Sequence, residues 1–168
     1  MTENAAAGDV VDAVLGIQQG SPLDALRAQR PEARQFTQGS YDELVAPASP
    51  GTVGSDERAA VALRIALLNN DGRLADHYRE RLAGLPGGGA LAPLVEKGPG
   101  AAGLAPRLAA ILAHVERVAT KPGASTAAHL QALKAAGLSD KDIVTLAQLI
   151  AFVSHQVRLI AGLRLLQE

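Results

Sequence analysis

The chain has 168 residues, with 16 basic and 17 acidic side chains, four histidines and no cysteine. That length suits one domain and buries enough surface to hold a core without a disulfide or a structural metal. A net charge of −1, no basic run and only two Phe and two Tyr argue against nucleic acid as a partner, because phosphates call for clustered cations and unpaired bases for stacking rings.

The apolar fraction is 48% with 2% aromatic, so the core must be built from Ala, Leu, Val and Ile. Ala and Leu lead the helix propensities, and no alternating strand pattern is present. An all-α fold is expected. No uncharged apolar run reaches the ~18 residues of a membrane helix. The opening residues, MTENAAAGD, lack the basic and apolar regions of a signal peptide. A cytoplasmic protein without membrane attachment is expected.

In chain order, residues 1–8 are expected to fray. Residues 9–18 read as a short amphipathic helix that offers Val10, Val14, Leu15 and Ile17 for packing. Ser21-Pro22, a cap followed by proline at the first helical position, opens a helix to about residue 29. A weaker helix, 31–45, is expected to break near Gly39. The segment 46–54, APASPGTVG, is a linker. It divides the chain into an N-terminal helical extension with its linker, 1–54, and a helical domain, 55–168.

Ser55 is expected to cap a strong helix over 56–69, with Ala60, Leu63, Ala66 and Leu67 at helical spacing. A turn at 69–72 leads to a helix over 73–85, which Pro86 and three glycines then stop. Residues 90–103 are expected to be mostly loop, with at most a turn at 91–96. Pro106 opens a helix to about residue 119. Ser125 is expected to cap a helix over 126–136, with Gly137 at the left-handed position after it. Ser139 and Asp142 resemble a capping box.

That box opens the longest helical pattern, 138–166, apolar on more than one side, with Gln148, His155, Gln156 and Arg158 set into it. A helix apolar nearly all round is buried or shared, so it is expected at the centre of the core or at a subunit interface. Ile143, Leu146, Ile150, Val153, Val157 and Ile160 form one stripe; Leu149, Phe152, Leu159, Leu163 and Leu166 lie off it. The N-terminal helices look too short to cover that excess. A homo-oligomer, dimer or trimer, using this helix is therefore expected.

The chain resembles the AhpD-like superfamily, the relatives of alkylhydroperoxidase D and carboxymuconolactone decarboxylase, over about 55–166. The resemblance is carried by Ser55-Asp56-Glu57-Arg58 with the AAVALRIALL that follows, and by HLQALKAAGLSDKDIVTLAQLIAF with VSHQVRL. It implies an AhpD-like helical bundle that is usually oligomeric. Peroxidatic members carry E-x11-C-x2-C-x3-H. Counted from Glu57, the cysteine positions hold Asn69 and Gly72 and the histidine position holds Asp76, with His77 one residue late. Without a thiolate there is no nucleophile for that chemistry, so no thiol-dependent peroxidase is expected. The decarboxylase branch needs no cysteine pair and stays open.

Glu57 is a candidate general acid or base, against the ordinary preference for Glu in a first helical turn. His77 is a candidate displaced relay histidine, against simple packing at a helix surface. His155, with Gln148, Arg158 and Asn69, is a candidate polar pocket, against a structural network or ion pair. The four histidines show no metal-ligand spacing, and no phosphate-binding or dinucleotide motif is present. Neither metal nor cofactor is expected. Two functions follow: a cysteine-less small-molecule-binding or interaction protein, or an enzyme moving protons with Glu57 and histidines. Convergence of Glu57, His77 and His155 on one cavity would favour the enzyme.

Overall fold

Proline and glycine punctuation sets most of the helix ends in the structure, a computed structural model that describes residues 9–167. The segment expected to fray, 1–8, lies outside the described residues. The helices are α1 Val10–Leu15, α2 Pro22–Ala28, α3 Pro31–Leu44, α4 Ser55–Leu68, α5 Gly72–Ala83, α6 Gly88–Lys97, α7 Pro106–Thr120, α8 Ala127–Ala135 and α9 Asp140–Arg164, with a 3-10 turn at Pro122–Ala124. No strand occurs among the described residues. The protein is all-α.

Four local expectations need correction. First, α3 runs unbroken through Gly39; one exposed glycine weakens a helix but does not end it. Second, the cap of α4 is Gly54, not Ser55, and the Glu57 carboxylate accepts its backbone N–H at 3.2 Å. Third, α8 starts from Thr126, one residue later than Ser125 would set it. Fourth, the expected loop after residue 90 contains the ten-residue α6, with Pro93 inside it. Gly87, at φ +75°, makes the left-handed turn into that helix.

The helix buried on every side is α4, not α9. Ala59, Ala60, Val61, Ala62, Leu63, Ile65 and Ala66 are all fully buried, and α5, α6, α7 and α9 pack around them. The alanines are the cause: short side chains let several helices approach one axis. In contrast, α9 buries one face through Leu146, Leu149, Val153 and Ile160 and leaves Val144, Gln148, His155 and Arg158 exposed. The apolar excess on α9, expected at a subunit interface, is in part covered within the chain, by α1 and α3. Val10, Val11, Val14, Leu15, Tyr41 and Val45 join the same apolar core as α4–α9. By length and composition α9 is apolar enough to cross a membrane, yet it packs on α3, α4 and α7 as a core helix does.

Charges tie the helices at their ends. Arg107 on α7 pairs with Glu57 at 2.7 Å. Arg64 on α4 reaches Glu116 on α7, its Nε 2.7 Å from the carboxylate. Arg164 near the end of α9 pairs with the buried Asp71 that caps α5, at 3.0 Å. Near the chain's beginning, Arg27 pairs with Asp9 at 2.9 Å and with Asp12, while Arg34 adds Asp12 and Asp24. Gln167 donates to the Leu15 carbonyl at 3.3 Å, joining residues 152 apart in sequence.

Candidate functional site

The candidate residues do not converge. Glu57 and Asn69 lie at opposite ends of the continuous helix α4, and twelve residues at the helical rise separate them by about 18 Å. The Glu57 carboxylate is taken up by the Gly54 N–H and by the Arg107 guanidinium. Asn69 is exposed and donates its side-chain amide to the Ile65 carbonyl at 2.8 Å, closing the last turn of α4. Gln148 and Arg158 are exposed on α9. Arg158 donates to the Ser154 carbonyl of its own helix at 2.6 Å and has no carboxylate partner among the described residues.

His77 sits with Tyr41, its Nε2 2.8 Å from the phenolic oxygen. The pair belongs to a cluster that sequence did not reveal. Tyr78 is fully buried and donates to the side-chain oxygen of Gln156, also fully buried. Arg81 lies 5.9 Å from the Tyr41 ring centre and donates to the Val45 carbonyl. Gln156 Nε2 and Arg81 Nε are buried without a partner. The one available signal was composition: Tyr41 and Tyr78 are half of the chain's aromatic residues, and Gln156 is polar within an apolar helix.

Burial pushes the His77 imidazole below its ordinary value of 6.5, and Arg81 adds to the effect. Burial also lowers His114, with Arg117 and His129 adding to it. The fold thus holds both rings neutral, while the unfolded chain takes up protons first as pH falls through 6.5. Stability present above that pH is lost below it. The melting temperature should therefore drop on going from about pH 7.5 to about pH 5.5, and drop less in a His77→Gln/His114→Gln double variant. An equal drop in both proteins would refute the assignment.

His155 is exposed at a groove of about 270 Å³ between α2, α3 and α9. Leu26, Ala33, Leu159 and Leu163 form its apolar lining, with Arg27, Arg30 and Arg34 around it. Asp9, Asp12 and Asp24 pair with Arg27 and Arg34 and outnumber them by one charge. Arg30 is exposed and has no carboxylate partner among the described residues. No group of three or more His, Asp or Glu suited to a metal ion occurs among the described residues. The chain matches no protein-family model and no curated protein sequence.

Proposed function

We propose that this protein binds a compact small molecule with an apolar body and an anionic group, in the groove between α2, α3 and α9. The observation that carries this is the pairing of an apolar lining, Leu26, Ala33, Leu159 and Leu163, with the exposed Arg30 guanidinium, which has no carboxylate partner among the described residues, and the exposed ring of His155. Apolar walls supply affinity, and a few placed polar groups fix orientation. A volume of about 270 Å³ suits a ligand smaller than most drugs. Proton transfer by Glu57, His77 and His155 together is the less favoured reading, since each has separate neighbours: Arg107, Tyr41 and the groove. The likeness to AhpD-like domains belongs to this proposal. Its support is the all-helical architecture and the motif segments quoted above.

Octanoate is a suitable probe. Its saturable binding should raise the melting temperature, by about 2.7 kcal/mol of added stability at a hundredfold excess over Kd. Octanol, which lacks the charge, should bind more weakly. Arg30→Gln and Leu159→Asn should each weaken the titration measured by calorimetry. No saturable heat with octanoate, or an unchanged titration in both variants, would overturn the proposal.

A further inference from the structure

A second cleft opens on another face of α9, between that helix, α7 and the turn at Pro122–Ala124, with a volume of about 390 Å³. Its walls are largely small or aliphatic: Ala119, Ala147, Ile150 and Ala151. Two polar groups stand out. His114 is 7% exposed, and its Nδ1 is buried with no hydrogen-bond partner. Arg158 is exposed, and its one hydrogen bond is to its own helix. No carboxylate lines the cleft.

Native folds rarely leave a buried polar nitrogen unpaired, because its desolvation goes uncompensated. The nearest charges act in one direction. Arg117 lies close enough to His114 to disfavour its protonated form, and Arg158 lines the same cleft. A neutral imidazole can donate through one nitrogen and accept through the other, while a guanidinium matches a carboxylate with two parallel bonds. Alanines at 147 and 151, one turn apart on α9, leave a shallow bed suited to a flat apolar body.

We propose that this cleft is a second binding site, for a small aromatic acid whose carboxylate Arg158 holds and whose second polar group hydrogen-bonds His114. It is separate from the groove beside His155 and does not rest on that groove being occupied.

The four histidines make the two sites distinguishable in one experiment. Protein labelled with 15N at histidine is titrated with salicylate, which carries a carboxylate and a neighbouring hydroxyl, and imidazole resonances are followed by NMR. Saturable shifts of His114 are the expected result, with a Kd read apart from any His155 shift, because salicylate also fits the chemistry of the groove. Benzoate, without the hydroxyl, and phenol, without the carboxylate, should each bind less tightly. Arg158→Gln should weaken salicylate binding about tenfold at an unchanged melting temperature. His114 resonances unmoved by salicylate would overturn the proposal, as would an Arg158→Gln variant that binds salicylate as the parent does. So would His114 shifts that follow protein concentration alone, because the cleft would then be covered by a second copy of the chain.

Discussion

Replacing Gly88 with alanine is expected to destabilise the protein by about 3 kcal/mol, and replacing the next residue, Gly89, to stabilise it slightly. Gly88 is buried at the first position of α6. A Cβ there would fall far inside van der Waals contact distance of the Leu82 carbonyl oxygen and 2.7 Å from its carbon, both backbone atoms of α5. Backbone cannot rotate aside as a side chain can, so the α5–α6 turn would have to open. A Cβ on Gly89 meets nothing within 4 Å. There alanine only removes unfolded-state freedom and raises helix propensity, a gain of about 0.5–1 kcal/mol. For a chain of this size the loss corresponds to a drop of about 6–12 °C in melting temperature. Thermal unfolding followed by circular dichroism checks both signs. A Gly88→Ala variant as stable as the parent would show that α5 and α6 do not meet as described.

The second large effect is expected at Arg58. This side chain is 5% exposed and donates to three backbone carbonyls: Val53 at 2.9 Å, Leu44 at 2.6 Å and Pro50 at 3.0 Å. It fastens the end of α3 and the 46–54 segment onto α4. Arg58→Met keeps most of the length and removes all three donors, leaving those carbonyls to find other partners. A cost of about 3–5 kcal/mol is expected. Arg58→Lys should recover only part of it, since one ammonium cannot span three acceptors as a guanidinium does. Urea unfolding should show a lower midpoint with an unchanged slope. A midpoint within error of the parent would refute the pinning role.

Arg58 also shows where sequence reading stops. Read locally, it is a charge in the first turn of a helix, and 46–54 is a linker by its prolines and glycines. Neither feature tells that the linker folds back. Thr52 donates to Asp142 on α9, and Arg107 reaches the Thr52 carbonyl at 3.0 Å. Helices α4, α5, α7 and α9 were legible because strong breakers separate long periodic segments. Helix α6 was not, since a triple glycine and Pro93 read as breakers while its burial against α4 and α5 outweighs them. Periodicity counted apolar residues on α9 correctly but could not tell which neighbours would claim them. That is why His155 and Arg158 were expected inside and are found exposed. The Tyr41–His77 contact joins residues 36 apart in sequence and has no local signature.

The link from Gln167 to the Leu15 carbonyl bears on how the molecule opens. Arg73 on α5 donates to that same carbonyl at 3.3 Å, so three distant parts of the chain share one acceptor at the end of α1. Helix α1 has six residues and residues 165–167 are exposed, and short or fraying segments open locally at the lowest free energy. The backbone amides of α1 and of the final turn of α9 should therefore exchange with solvent as one cooperative unit, ahead of those in α4. Slow exchange in α1, matching that of α4, would refute this.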